Sequence, residues 1–513
     1  MGLAIPITGV DANFRTPGAY AEIVYAQGPA GASAPGREVV LVMPMLSTGT
    51  WTANTLYRID NAGEAESGAG AGSPLHRAAK KFRTANKDAK LWGLPYPVTT
   101  GGSPIQATAT VTFTTNASAT GTAIVRIAGE ECSFTFRVSD TPTIIAAGIV
   151  AAINAKTWLP CTALNSSGVV TITAKVAGIS QGTASLGVIR VAASITAGVG
   201  TTVAQSGNFL GSGAAGVEGS TTEASQLATA LATIAAVRKY FVVVSVNDST
   251  SITNLKSHIS TKSEPRRGLR SVGIYGYTGS LATGITLAVA KNYERLRQVQ
   301  QIDSEHDSAE LAANYAAVAQ KQETTDTAFN FNGYRQADWL ILPAVSTTVW
   351  PSGDDINDAI NAGITLIGTD DAGSYISMSC STRSKNAAGT VSDFRVTESK
   401  QVSVTDEFVD EELVDWNQTD SSKKFRDDEK LADGSVNPNQ RFQRNVLTPS
   451  QRTGRIKKRM DDYYTAGKLQ DVQASKDSVR AVKTGGRLEA GFDLTVISWA
   501  NQYTARVAET TPG

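Results

Sequence analysis

Short, nearly uninterrupted apolar runs alternate with helical patterns along two long stretches of this 513-residue chain. A strand with one solvated face would alternate polar and apolar residues, whereas an uninterrupted run needs cover on both faces of its sheet. Helices between the strands supply that cover in an α/β fold. The runs that we interpret as strands are EVVLVMPM, AKLWGLPY, YFVVVSV, SVGIYGY, RQVQQI, WLILPA, ITLIG and SYISMSC. The pattern predicts a multidomain α/β protein with a central α/β sheet body.

The first two strands and the helix between them form a predicted βαβ unit. Ser73 is a favourable N-cap and Pro74 suits the first turn of the helix PLHRAAKKFRTA. A connection of this length favours parallel strands with a right-handed crossover. In a later helix, Asp354 and Asp355 favour the N-terminus and Gly363 the end. Helices are also predicted at about 220–237, 251–262 and 281–296, and in SAELAANYAAVAQK and DDINDAINAG.

A β-rich insertion interrupts the body. The composition changes at Thr99–Pro104, and the following segments ATVTFTT, GTAIVRIAGEECSFTFRV and GVVTITAKV are rich in Thr and Val and alternate. One apolar helix, from about Pro142 to Ala155, separates them, and the insertion closes near the glycine-rich segment 207–220. We expect an inserted domain at 101–205, within a body formed by 37–100 and 206–400.

The N-terminal segment 1–36 contains a predicted strand without a hairpin partner. Thr16-Pro17-Gly18 has turn chemistry, and Gly28-Pro29 ends the short run between them. A terminal strand far from any partner docks elsewhere or frays. We therefore predict an N-terminal arm that pairs with another subunit. The strand residues of this arm are Tyr20, Glu22, Ile23, Val24 and Tyr25.

The C-terminal segment 401–513 differs in character from the body. It contains the acidic stretch DEFVDEELVDW, then a helix that opens at Thr448-Pro449 and closes at Gly467. Alternating residues follow Gly485-Gly486, and we expect these glycines, like those at 28–36, to act as hinges. A second inter-subunit strand arm is predicted here, with Phe492, Leu494, Val496, Tyr503 and Val507.

The charge composition argues against partners, such as nucleic acid or an anionic membrane, that a large net charge on the protein would attract. Lys plus Arg and Asp plus Glu both number 47, so the formal net charge is zero, and neither direct nucleic-acid nor membrane binding is expected. Arg238 and Lys239 interrupt the most apolar segment, so that no transmembrane span is predicted. The first residues lack a cationic region of the signal-peptide type. Three cysteines without metal spacing suit a reduced, cytosolic origin.

No constellation of residues predicts catalysis, a cofactor or a metal site. GSGAAG at 211–216 does not follow a buried strand, which is the context that gives a phosphate-binding loop its meaning. The histidines His76, His258 and His306 lack metal-ligand spacing, and we expect His76 to be a partly exposed helical residue and His306 a loop residue.

The remaining polar candidates have simpler structural explanations. Cys380 could be a nucleophile, but a buried structural thiol is far commoner. Turn formation explains Asp370-Asp371 and helix capping explains Asp354-Asp355 better than cation binding does. The sequence therefore predicts a protein that is not an enzyme.

A basic cluster in the C-terminal helix is the strongest local charge feature. Three interpretations stay open: a solvated helix face, a nucleic-acid patch, or a surface that docks onto an acidic protein. The nucleic-acid-binding patch is disfavoured because no aromatic side chains that could stack on bases are interleaved with the basic residues. The cluster consists of Arg452, Arg455, Lys457, Lys458 and Arg459.

The order of these segments resembles that of the contractile tail sheath proteins of myophages, closest to the Mu-like type. PGAYAEI resembles the PGVYIEE-like opening of that family, although it lacks the second acidic residue. GSPLHRAAKKFRTANKDAKLWGLPY resembles the segment in which a helix precedes an LW strand in Mu-like members. The α/β body, the β-rich insertion, the basic helix and the strand-bearing C-terminus follow in the same order.

The resemblance implies a structural role in the virion. Sheath subunits stack as hexameric rings around a tail tube, assemble in the host cytoplasm with baseplate and tail terminator proteins, and exchange terminal arms with their neighbours. Contraction then drives the tube through the host envelope during genome delivery. The inserted domain should face outward and the arms and C-terminal region inward. From its charge, we expect the basic helix to face the tube.

Two other classes of protein stay open at this stage. An enzyme could assemble a site on the α/β body from residues distant in sequence. Another phage assembly protein is the second alternative, although a tail-tube protein would be shorter and mainly β, and a capsid subunit would build shells.

Overall fold

A computed structural model describes residues 36–178, 189–195, 203–205, 212–335, 350–386, 389–393, 396–443 and 445–498. Within these residues the chain is a mixed α/β protein with several sheets and eleven α-helices, which confirms the predicted class. The N-terminal strand at Tyr20–Tyr25, the run WLILPA and the residues Tyr503 and Val507 lie outside the described residues.

The chain enters the body through the predicted βαβ unit. Ser73 caps the second helix, because its hydroxyl accepts a hydrogen bond from the amide of His76, and Pro74 is the first helical residue. The two long strands on either side of the helices are parallel, with Val39 opposite Leu91. The elements are β1 (Val39–Met45), β2 (Tyr57–Arg58), α1 (Ala62–Ala69), α2 (Pro74–Ala85) and β3 (Leu91–Pro97).

The insertion that follows forms two antiparallel sheets around a core of its own. One sheet has four strands and the other three, and α3 packs between them. The glycine-rich return segment pairs with the start of the insertion, where Val217 lies opposite Ile105. The elements are β4 (Gln106–Phe113), β5 (Gly121–Ile127), β6 (Glu130–Phe136), α3 (Pro142–Ala155), β7 (Cys161–Ser166), β8 (Val169–Ala177), β9 (Val191–Ile195) and β10 (Val203–Gln205). The β-rich character predicted for this segment is what the structure has.

After the insertion the α/β alternation resumes. One helix is shorter than predicted, because Asn292 adopts the left-handed conformation and ends it. The elements are α4 (Glu223–Thr233), β11 (Phe241–Val244), α5 (Ser249–Ser263), β12 (Val272–Tyr277), α6 (Leu281–Lys291), β13 (Leu296–Gln300), α7 (Ser308–Thr325), α8 (Gly353–Asn361), β14 (Ile364–Asp370) and β15 (Gly373–Ile376).

The strands of the body share one eight-stranded sheet in the order β15-β14-β13-β12-β11-β1-β3-β2. The six inner strands are parallel, and antiparallel β15 and β2 form the edges. Helices α1, α2 and α7 cover one face, and α4 and α5 cover the other. The apolar runs are therefore buried on both sides, as their lack of alternation predicts.

The C-terminal region begins with a long helix that the sequence pattern did not identify. The acidic stretch DEFVDEELVDW lies in α9, whose last turn continues as a π-helical turn at Trp416–Asp420. The predicted basic helix is present, and Thr448 and Gln451 form a capping box at its start. The elements are α9 (Ser399–Asp415), β16 (Lys424–Phe425), β17 (Val446–Leu447), α10 (Pro449–Thr465), α11 (Val472–Ser478), β18 (Arg480–Thr484) and β19 (Arg487–Gly491).

The structure corrects the interpretation of Gly485-Gly486 as a hinge that precedes an unpaired strand. These two residues are the turn of a β-hairpin in which Thr484 lies opposite Arg487. Gly485 has a φ of 58°, the left-handed conformation that two-residue hairpin turns require. The first part of the predicted C-terminal arm is thus paired within its own chain.

Candidate functional site

The C-terminal region brings together most of the described residues that the sequence analysis singled out. Leu494 and Val496 are buried, and Val496 pairs with Leu469 in an isolated antiparallel bridge. The ring of Phe492 lies 5.0 Å from that of Phe408 on α9. These three arm residues therefore anchor the chain on its own C-terminal core.

The hairpin of β18 and β19 lies beside α10. Among the described residues, no third strand pairs with either of its strands. Its residues are half-buried or exposed along both strands. In general, an edge strand of a sheet can accept a further strand through main-chain hydrogen bonds.

The basic cluster on α10 divides into paired and unpaired members. Arg452 is buried and pairs with three carboxylates, those of Glu412, Asp415 and Asp420. Arg459 donates to Glu412 at 2.5 Å. These two arginines therefore attach α10 to α9. The interpretation of the cluster as a solvated helix face did not include this structural role.

The other three members of the cluster are more exposed. Arg455 is one-third exposed and forms an ion pair with Asp420 at 2.6 Å. Lys457 is half-buried and Lys458 is exposed, and neither forms an ion pair with any described residue. Within the part of the chain that the structure describes, Lys457 and Lys458 are thus the members of the cluster without an ionic partner.

On its opposite side, α9 lies against the amino ends of the parallel strands. Arg295, which precedes β13, donates two hydrogen bonds of 2.7 and 2.8 Å to the carboxylate of Asp406. The hydroxyl of Tyr240, which precedes β11, donates to the same carboxylate at 3.1 Å. Burial alone would raise the pKa of Asp406, but Arg295 and Arg270 outweigh it and hold that pKa below its ordinary value.

One turn further along α9, Asp410 accepts from two arginines of the body. Arg238 precedes β11 and Arg270 precedes β12, and both donate to this carboxylate. Arg270 is about 1% exposed, so that its charge is removed from water. A buried arginine without a carboxylate partner would cost several kcal/mol, and Asp406 and Asp410 remove that cost.

The N-terminal half of α9 joins a third buried cluster. Ser403 donates to Glu323 of α7 at 2.6 Å, and its backbone carbonyl accepts from Arg37. Glu323 also pairs with Arg37 at 2.8 Å and with Arg297 of β13 at 2.5 Å. This cluster connects three distant parts of the chain: the segment before β1, the body helix α7 and α9.

Among the carboxylates of α9, Glu411 lacks a close cationic partner in the described part of the chain. It is about 7% exposed, and its Oε1 atom has no hydrogen-bond partner among the described residues. Burial raises the pKa of Glu411 to about 7; Arg459 and Lys468 counter this, whereas Glu407 and Glu412 add to it. The nearest cation is Arg459, whose Nε lies 4.0 Å from Oε2.

The other polar candidates lie apart from this region. His76 is buried, not partly exposed as expected; its Nδ1 atom accepts a hydrogen bond from the amide of Gly72, and burial lowers its pKa to about 4. His306 lies buried just before α7 and contacts Glu310. Cys380 is buried, which raises the pKa of its thiol. Within the described ranges, no group of three or more His, Cys, Asp or Glu side chains is placed to hold a metal ion.

None of the helices in the described segments combines the length and the low polarity that crossing a membrane needs.

The pairing of Asp406 predicts a large loss of stability when its charge is removed. Asp406→Asn leaves Arg270 and Arg295 buried without a full counter-charge, and we expect the free energy of unfolding to fall by about 3–5 kcal/mol. Asp60→Asn, at a carboxylate that is 59% exposed beside Arg58, should leave it unchanged. Urea denaturation of both variants measures the difference, and equal stabilities would contradict the role given to Asp406.

The raised pKa of Glu411 predicts a pH dependence of stability opposite in sign to that of Asp406 and Asp415, whose pKa values their arginine and hydrogen-bond partners lower. Because its pKa in the folded chain lies above the ordinary value of 4.5, its stabilising contribution is complete below pH 4.5 and is lost as the pH rises through about 7. Glu411→Gln should therefore flatten the fall in melting temperature across this range. The exposed residue Glu264 offers a control, since Glu264→Gln should leave the pH profile parallel to that of the native chain. Identical profiles for Glu411→Gln and the native chain would refute the assignment.

Comparison with known proteins identifies one relative by sequence. The Mu-like prophage FluMu tail sheath protein of Haemophilus influenzae is 26% identical to this chain over 176 residues. The match covers 34% of this chain and 36% of the relative, so that it spans about a third of the length of that protein. No family model matches the chain.

Solved sheath structures are also similar to the chain. The sheath tail protein of Desulfitobacterium hafniense is 13% identical, with a TM-score of 0.44, over 90% of this chain and 93% of that one. The helical sheath of the anti-feeding prophage in its contracted state is 9% identical, with a TM-score of 0.44, over 97% and 99% of the two chains. The resemblance to Mu-like tail sheath proteins that the sequence predicts is confirmed by the FluMu match.

Proposed function

We propose that this chain is a structural subunit of a contractile tail sheath. In this proposal it polymerises as helically stacked hexameric rings around a tail tube, and the rings shorten to drive the tube through the host envelope during genome delivery. The similarity to the FluMu tail sheath protein is the observation that carries the proposal. The subunit acts as part of the virion after assembly in the host cytoplasm, and its further partners are the baseplate and tail terminator proteins.

Strand addition is the proposed means of assembly. In this proposal, the β18–β19 hairpin accepts strands from the N-terminal segment 1–36 and from residues 499–513 of neighbouring copies. Each main-chain hydrogen bond contributes about 0.5–1.5 kcal/mol net, so that one added strand contributes only a few kcal/mol. A subunit held by several neighbours at once is nevertheless held firmly, because each further contact forms at a high effective concentration.

The charge clusters on α9 support motion of the subunit as a unit. Helix α9 is paired with the body through Asp406 and Asp410, and with α10 through Glu412. A force applied at the β18–β19 hairpin would therefore be transmitted to the α/β body through these ion pairs. Contraction would then change contacts between subunits while each subunit keeps its internal packing. Energy stored in the packing of the extended sheath would drive this change, with no nucleotide consumed.

The orientation of the subunit follows from the same proposal. Lys457 and Lys458 would face an acidic surface of the tail tube, while the insertion at 101–205 would face outward. Charges of this exposed kind set the rate and register of encounter more than the affinity. Arg452 and Arg459, which the sequence analysis assigned to the tube as well, are proposed to hold α10 in place instead.

Removal of the N-terminal arm tests the proposed assembly. A chain without residues 1–33 keeps Arg37 and its pairs, so that it should fold with a native melting temperature and yet form no tubes. Electron microscopy of the purified proteins gives the measurement, with hollow contracted-type tubes expected for the full chain. A chain in which a Gly/Ser segment of equal length replaces 1–33 is the matched control and should also stay monomeric. Tubes formed by either variant would contradict the proposal.

Charge reversal on α10 tests the proposed contact with the tube. Lys457→Glu combined with Lys458→Glu should preserve folding and lower the association rate with the tail tube protein at low salt by about tenfold. Arg452→Glu is the contrast, since it places a fourth acidic side chain beside Glu412, Asp415 and Asp420 and should lower the melting temperature. Unchanged tube association of the double variant across salt concentrations would exclude these lysines from the contact.

A further inference from the structure

The insertion and the α/β body have separate hydrophobic cores. None of the hydrophobic clusters formed by the described residues contains side chains of both parts. Burial of apolar surface is the dominant force that holds packed layers of a protein together. Because the described parts of the insertion and the body share no such cluster, their relative position depends on polar contacts and on the segments that connect them.

The two segments that connect the insertion to the body pair with each other as an antiparallel ribbon. We call this ribbon, residues 99–108 and 213–221, the neck. Gly101 and Gly102 are exposed and have φ values of 73° and 61°, the left-handed conformation that glycine adopts without steric cost. Backbone bridges lie on both sides of these glycines, so that the neck can bend there while its bridges stay formed. The bridges join Thr100 to Thr221, Ile105 to Val217 and Thr108 to Ala214.

Two arginines of the insertion form ion pairs with carboxylates of the body. Arg190, which precedes β9, pairs with Asp303, which follows β13, and their side chains are 12% and 23% exposed. Arg126 of β5 lies 3.9 Å from Glu305. Both carboxylates belong to the irregular segment between β13 and α7, and β5 and β9 are paired strands of one sheet. The two ion pairs therefore connect one segment of the body to adjacent strands of the insertion.

A lysine of the insertion adds a third contact of the same polarity. The Nζ atom of Lys175 on β8 donates to the carbonyl oxygen of Ala71 at 3.0 Å and to that of Thr157 at 2.6 Å. Ala71 belongs to the body, just before α2, and Thr157 belongs to the insertion. In all three contacts the insertion supplies the cation and the body supplies an acceptor. We call Arg126, Lys175 and Arg190, together with their acceptors in the body, the latch.

Two features limit the strength of the latch. Arg126 is about half exposed and also donates to Glu131 of the insertion at 3.1 Å. Glu305 is about 7% exposed, and its Oε2 atom has no hydrogen-bond partner among the described residues, so that its charge is imperfectly compensated. Salt screens such contacts, because the Debye length falls from about 30 Å at 0.01 M to about 3 Å at 1 M ionic strength. The attraction between the insertion and the body is therefore sensitive to ionic strength.

We propose that the insertion is a hinged module, which the latch holds against the body and which swings about the neck when the latch opens. Opening returns the charges of Asp303, Glu305 and the three cations to water, while both hydrophobic cores and the bridges of the neck stay intact. Ionic strength sets the share of chains in which the latch is open. This device belongs to the single chain and does not depend on the proposed sheath role.

The distance between two spin labels on the full chain tests the hinge. Lys87→Cys places one label on the body and Ser118→Cys places the other on the insertion, both at exposed positions. The native cysteines are at most 2% exposed and should not be labelled in the folded chain. Double electron–electron resonance should give one narrow distance distribution at about 0.01 M NaCl and a second, broader population at about 1 M. Dilution with unlabelled chain removes distances between copies, so that the result does not depend on polymerisation.

Removal of two latch charges should open the hinge without added salt. Asp303→Asn keeps the left-handed backbone that Asp303 has at a φ of 51°, because asparagine also tolerates it. Combined with Arg126→Gln, this substitution leaves the net charge of the chain unchanged. The double variant should raise the share of the second population about fivefold at about 0.01 M NaCl.

A matched pair of substitutions outside the latch provides the control. Asp60→Asn combined with Arg137→Gln removes one exposed charge from the body and one from the insertion, and it should leave the distribution narrow. Melting temperatures establish that both double variants fold. The proposal is overturned if the chain with an intact latch keeps its narrow distribution at about 1 M NaCl. It is equally overturned if Asp303→Asn with Arg126→Gln keeps the distribution narrow, or if the control broadens it to the same extent.

Discussion

Pairing of buried arginines with the carboxylates of α9 is the interaction on which this structure depends. Arginines taken out of water at the amino ends of the parallel strands are tolerable only with carboxylates in contact, and α9 supplies Asp406 and Asp410 at successive turns. On its other side the same helix supplies Glu412 and Asp415 to Arg452 of α10. The position of α9 is thereby fixed on two sides, and the C-terminal region becomes part of the body.

This arrangement determines which parts of the chain are available for assembly. Leu494 and Val496 are buried in the C-terminal core, which also includes Ala490 of the β18–β19 hairpin. In the proposed assembly, the chain would receive strands at this surface, and the charge pairs of α9 would transmit the resulting force to the sheet. That combination suits a subunit that stays connected to its neighbours while it changes position, which is the mechanical role proposed for it.

Much of the fold was predictable because its signals are local. The buried strands, the capped helix after Ser73 and the β-rich insertion follow from residues within one element. The role of α9 was not predicted, since the partners of Asp406 lie more than a hundred residues away along the chain. One signal was present: Arg37, Arg270 and Arg295 each stand just before a buried strand. The hairpin at Gly485-Gly486 was misinterpreted because its first strand, RAVKT, lacked a clear alternation.

Amide hydrogen exchange of the full chain tests most directly whether α9 is an integral part of the body. If the charge clusters fix it there, the amides of α9 exchange only by the same global opening as those of β11, β12 and β13, with equal protection. Exchange of α9 at the rate of the irregular segment 426–443, while the strands stay protected, would show that the helix opens independently and would contradict the account.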